Sequence, residues 1–87
     1  MCWIYILRCA DGVLYIGLTD DLDERMRRHH EGRGGRFTLT RRPVTLVYSE
    51  AWPTLLSART REQQLKRWTR AKKEALIAGD TAALKAL

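Results

Sequence analysis

Two cysteines, two prolines and one phenylalanine are all that this 87-residue chain has of those residue types. Cys2 and Cys9 form no CxxC pair and have no second Cys/His cluster at zinc spacing. Neither a disulfide framework nor a zinc ribbon is therefore supported, and both read as small, mostly buried thiols. No apolar run approaches the ~18 to 20 residues that cross a bilayer, and residues 1–7 are too short for a secretory h-region. A soluble, cytoplasmic protein is the expectation. Repeats, low-complexity tracts and Pro/Gly/Ser linkers are missing too, so one domain over residues 1–87 is expected. At this length a folded chain buries somewhat over ~60% of its unfolded surface, enough for a core without metal or disulfide. Acid is also in short supply: ten Asp plus Glu face sixteen Lys plus Arg, a net charge of +6. That favours a polyanionic partner, nucleic acid first, and says nothing about fold.

What is present is ordered. Residues 3–8 (WIYILR) and 13–18 (VLYIGL) are rich in β-branched and aromatic side chains and flank Ala10-Asp11-Gly12, a hairpin signal. A three-residue loop with Gly12 left-handed pairs Cys9 with Val13, sets Tyr5 opposite Gly17 and Tyr15 opposite Leu7, and puts both phenols on one face. A two-residue loop would shift the register by one and separate them.

Residues 20–35 (DDLDERMRRHHEGRGG) predict a helix, with Asp20 or Asp21 as N-cap, acids in the first turn, bases in the last and Gly32 as the stop. On it Leu22, Met26 and His29 fall within about 60° of one another, with Arg25 beside them. Gly32 to Arg42 holds Arg33, Arg36, Arg41 and Arg42 and no acid, and reads as a basic, nucleic-acid-binding loop. Val44 to Glu50 alternates as a third strand.

From Thr54 to Trp68 the pattern is helical, with Leu55, Ala58, Leu65 and Thr69 along one line. Glu62 lies on that line, where a free carboxylate is costly unless it meets a cation or metal. Arg59, Arg61, Lys66 and Arg67 can largely occupy outer faces. Thr69 can cap a helix to Ala78 stopped by Gly79, and Asp80 can start a last one. The expected fold is α+β: a small three-stranded antiparallel sheet flanked by helices.

Trp3-Ile4-Tyr5, then Tyr15-Ile16-Gly17, Arg25, His29 and Glu62, in that order, resemble the GIY-YIG endonuclease superfamily. The likeness covers nearly the whole chain and is strongest to the small stand-alone bacterial members. The stretches RFTLTRRPVTLVYSE and RTREQQLKRWTRAKKEALI are similar in kind to theirs. YIG by itself is weak; the ordered set is specific.

The resemblance implies a metal-dependent endonuclease acting on nucleic acid, DNA ahead of RNA, with a link to repair or recombination. Glu62 would then be the ligand of Mg²⁺ or Mn²⁺, since a hard cation suits one carboxylate plus waters and phosphate oxygens. Arg25 would clamp the scissile phosphate. Tyr5 and Tyr15 would position the attacking water, one of them as general base. His29 would hydrogen-bond to a tyrosine, the water or the phosphate. Trp3 replaces the first glycine of the name motif, and Leu18 stands where some relatives place Lys.

Plainer readings stand beside these. The tyrosines fit a core with their hydroxyls at its rim, Arg25 and Glu62 fit an ion pair that only fixes helix packing, and His29 fits a satisfied polar residue. The run from Arg59 to Lys73 reads first as a solvated helix surface and second as a phosphate-binding one, and Trp52 and Trp68 as packing. A module of the same fold that binds nucleic acid without cutting is the alternative function, and a subunit completed by a protein partner is a third.

Overall fold

The computed structural model describes residues 1–86. Strands β1 (Cys2–Arg8), β2 (Leu14–Thr19) and β3 (Thr45–Trp52) form one antiparallel sheet in the order β2-β1-β3. Helices α1 (Leu22–His30), α2 (Arg36–Leu39), α3 (Leu55–Arg67), α4 (Arg70–Ala78) and α5 (Thr81–Ala86) surround it. The expected α+β architecture is the observed one.

The hairpin turns as its loop chemistry requires. The Cys9 amide donates to the Val13 carbonyl at 2.9 Å, the Gly12 amide to Cys9, and Gly12 sits at φ 86°, where a side chain would be strained. The register follows: Tyr5 opposes Gly17 and Leu7 opposes Tyr15.

Alternation along β1 then divides the core between two faces. Tyr5, Leu7 and Cys9, with Val44, pack against Leu22 and Met26 of α1. Ile4, Ile6 and Ile16 pack against Ala58 and Leu65 of α3, with Leu76 and Ile77 of α4 outside them.

Side-chain caps set the helix starts. Asp21 accepts from the Glu24 amide, Thr54 from Ser57 and Thr69 from Lys72, and Gly79 closes α4 in the left-handed region.

Three expectations need correction. The basic segment is not all loop, because Phe37, Thr38 and Leu39 make one short helical turn within it. Strand β3 runs on to Trp52, since β1 begins at Cys2 and offers Trp52 a partner. Arg61 does not face outward; its side chain is 20% exposed and pairs with Glu50 at 2.8 Å, while Tyr48 and Trp52 donate to the same carboxylate.

Candidate active site

The hairpin carries the two phenols and α1 brings an imidazole against both. The Tyr5 and Tyr15 rings lie 6.3 Å apart between centroids, and the His29 ring stands edge-on at 5.7 Å from each. Tyr5 fits because Gly17 opposite has no side chain: a Cβ there would come within 2.2 Å of the Tyr5 ring. Gly34 does the same for His29, at 2.2 Å from Nδ1.

Tyr5 and His29 are wholly buried, so their polar atoms need partners. The Tyr5 hydroxyl and His29 Nε2 are 3.0 Å apart, and His29 Nδ1 and Thr38 Oγ1 are 2.9 Å apart. The Thr38 hydroxyl is turned toward the Gly35 carbonyl at a long 3.5 Å. We assign the direction of the chain from that orientation: with the Thr38 proton toward Gly35, His29 donates through Nδ1 and accepts at Nε2, and Tyr5 donates to His29.

Electrostatics agree with that assignment. Burial, reinforced by the neighbouring Tyr15, pushes the Tyr5 phenol up to about 12. Arg25 pulls the other way, first by hydrogen bonding toward the phenol oxygen and then by its charge, and Glu62 adds a smaller upward push. Burial first, then the charges of Arg25 and His30, hold the His29 imidazole below its ordinary value. Near neutral pH Tyr5 keeps its proton and His29 carries no charge.

Tyr15 is different. It is part-exposed, with its ring stacked on Phe37 at 5.4 Å, and Arg41 covers Phe37 at 4.1 Å. Arg25, also part-exposed, lines an open cavity of about 330 Å³ and has no ionic partner among the described residues. The Arg25–Glu62 pair of the plainer reading does not form among them; Glu62 meets Lys66 instead, at a loose 3.8 Å. The Glu62 side chain is 17% exposed, and its charge reaches Tyr5 from α3.

The four loop arginines are mostly engaged within the protein. Arg33 pairs with Glu31, Arg41 with Asp11 and the Phe37 carbonyl, and Arg42 donates to the Leu39 and His30 carbonyls. Arg36 has no such partner among the described residues. Thr38, Gly34 and Phe37 escape a reading of the sequence. The one signal for them is Phe37-Thr38-Leu39, an apolar interruption of an otherwise basic segment.

A model of the GIY-YIG catalytic domain matches residues 1–75, which hold every residue of this site. The chain belongs to the GIY-YIG family. This nuclease family acts on nucleic acid, and its members generally use a divalent metal. The chain is 45% identical over 75 residues to a UPF0213 protein of Bacillus pumilus, covering 86% of this chain and 76% of that one. It is 44% identical to a UPF0213 protein of Staphylococcus aureus, covering 86% and 92%. Its fold is similar to the solution NMR structure of a UPF0213 protein from Bacillus halodurans, with a TM-score of 0.60 at 38% identity over 92% of this chain and 86% of that one.

The residues present fit a family metal of one kind. No group of three His, Cys, Asp or Glu gathers among the described residues, so a protein cage for a soft or fully coordinated ion is not formed by them. A single mostly sheltered carboxylate with a loose cationic neighbour suits a hard ion that keeps its waters and takes phosphate oxygens. Glu62 is that carboxylate.

Proposed function

We propose that this GIY-YIG chain is a metal-dependent endonuclease that hydrolyses DNA phosphodiesters, with branched, flapped or nicked DNA of repair and recombination as its substrates. The observation that carries this reading is the inequality of the two phenols. Tyr5 is buried, donates to His29 and is held near 12; Tyr15, against the same imidazole, is reachable from solvent.

General-base work therefore belongs to Tyr15, which takes the proton of the attacking water, while Tyr5 and His29 are positioning residues. His29 has both ring nitrogens engaged by protein partners, which leaves neither for water or phosphate. A phenol acting as a base near neutrality needs positive charge nearby, and Arg25 is the cation that acts on Tyr5, the ring neighbour of Tyr15. Its planar fork also suits two oxygens of the scissile phosphate and the charge that develops on them. Glu62 would hold Mg²⁺ or Mn²⁺, whose chemistry is to neutralise phosphate charge and assist the leaving oxygen.

The test is cleavage of flapped, nicked and four-way DNA with Mg²⁺ or Mn²⁺ and with EDTA. Tyr15→Phe should cut ~100-fold or more slowly, Arg25→Ala by a similar or greater factor, and Glu62→Gln should lose metal-dependent product. Equal rates in all variants reject the reading. DNA binding with no product under any metal leaves the non-cutting module in its place.

A further inference from the structure

Next to Arg25 the structure holds an open cavity whose far wall takes no part in the proposed reaction. β2 runs from Tyr15 past Gly17 to Leu18 and Thr19, and there it borders the cavity of about 330 Å³ that Arg25 lines from α1. The opposite wall is the first turn and a half of α3, with Leu55 and Arg59 facing in. Arg59 stands one turn before Glu62 on that helix. Like Arg25, it makes no ion pair among the described residues. Asp20, the acid on the lining, lies beyond ion-pair distance of both.

Two guanidiniums facing one open space without counter-ions repel each other, and an anion between them removes that cost. Leu18 and the half-exposed Leu55 supply apolar wall, which strengthens charge interactions by lowering the local dielectric. The space amounts to roughly ten water volumes at about 30 Å³ each, enough for a phosphodiester group with part of its hydration.

We propose that this cavity binds a second backbone phosphate of the DNA strand, adjacent to the one that reacts, with Arg59 as its ligand and Arg25 shared between the two. This rests on the nuclease reading for the identity of the polyanion. The strand would then pass from Tyr15 across the end of β2 toward α3. A guanidinium suits this role because its fork meets two phosphate oxygens at once.

The experiment measures binding in EDTA, so that cutting does not enter. A fluorescent single-stranded or flapped oligonucleotide is titrated with wild type and with Arg59→Ala across a range of salt. A second series uses oligonucleotides that each carry one neutral methylphosphonate at successive positions. Arg59→Ala should raise Kd about 5-fold or more and lower the salt slope by about 1. Against one methylphosphonate position the wild type should lose affinity and Arg59→Ala should lose none. Leu55→Arg, one turn away on the same wall, should restore much of the lost affinity to Arg59→Ala.

An unchanged Kd and slope for Arg59→Ala overturns the proposal while leaving the nuclease reading intact. So does an Arg59→Ala protein that stays sensitive to every methylphosphonate, since its loss is then of general charge. A wild type that binds no DNA overturns both. Cleavage that fails while these binding results hold removes the nuclease reading and keeps the phosphate site.

Discussion

Replacing Thr38 with Val keeps the shape of a buried side chain and removes the acceptor of the His29 Nδ1 proton. A donor left unpaired in that position costs ~1–3 kcal/mol, and the imidazole is then free to carry its proton on Nε2, facing Tyr5. Nitrogen-15 shifts of His29 should show a bare Nε2 in wild type and a mixed or reversed tautomer in Thr38→Val, with Thr38→Ser restoring the first. Cleavage should slow in Val and recover in Ser with little change in KM, because the change reaches the substrate only through Tyr5 and its neighbour Tyr15. The same histidine gives the fold a pH dependence whose sign is fixed. His29 resists protonation when folded, below the 6.5 of the free side chain; the unfolded chain takes up that proton first, so stability is full above about 6.5 and declines as pH falls toward the lower folded value. The glutamates held below 4.5 by arginine partners, Glu24, Glu31 and Glu74, act at lower pH. Urea midpoints should therefore begin to drop as pH falls below about 6.5, before those glutamates titrate, and a profile that stays flat until they do would show that His29 is not held neutral. Neither device is legible in the sequence as a pattern. His29 belongs to the buried stripe of α1 by spacing alone, but its role depends on Thr38 and Gly34, whose approach is made by chain that has no periodicity to read.

Among elements, α3 carries Glu62, the proposed metal ligand, and two carboxylate clusters fasten the helical layer to the sheet. Glu50 on β3 accepts from Arg61, Tyr48 and Trp52, and its side chain is 18% exposed. Glu74 on α4 takes a bidentate pair from Arg8 on β1, but both of those side chains are about one-third exposed. Exposure decides between them. A solvated pair contributes ~1 kcal/mol or less, whereas removing Glu50 leaves a mostly buried guanidinium and two hydrogen-bond donors without their acceptor, for which ~2 kcal/mol is a moderate figure. Glu50→Ala should thus lower the unfolding free energy by about that amount and Glu74→Ala by less than half of it, both read from urea melts. Because Arg61 adjoins Glu62, Glu50→Ala should also weaken the metal dependence of cleavage, with a higher Mg²⁺ concentration at half-maximal rate, and Glu74→Ala should not. The elements themselves are the legible part: a cap at Asp20 or Asp21, of which Asp21 is the one used, a cap at Thr69, stops at Gly32 and Gly79, and the three-residue hairpin loop all follow from local chemistry. Arg61 falls on an outer face by spacing because a helical wheel sees one helix at a time. Its partner lies eleven residues back on a strand whose far end the sequence pattern does not mark.

Over the whole molecule the net charge of +6 predicts salt-sensitive binding to DNA, but not which arginines meet phosphate. The segment 33–42 separates them by what each already holds. Arg36 has no partner among the described residues, so it meets a phosphate without breaking anything. Arg33 must leave an exposed pair with Glu31, which costs little. Arg41 and Arg42 tie the segment together, Arg41 through Asp11, the Phe37 carbonyl and the Phe37 ring, and Arg42 through the Leu39 and His30 carbonyls. That segment holds Thr38 against His29 and Phe37 against Tyr15. The alanine variants should therefore divide into two kinds. Arg36→Ala should lower the slope of log K against log salt by about 1, leave the melting temperature unchanged and leave cleavage at saturating DNA near wild type. Arg41→Ala should leave the salt slope nearly unchanged, lower the melting temperature and slow cleavage even at saturation, because it loosens the wall behind the two phenols. Salt titrations with thermal melts on the same proteins read both quantities. If Arg36 and Arg41 fall in the same class, the segment is a uniform basic patch and the division of labour inferred from its hydrogen bonds is wrong.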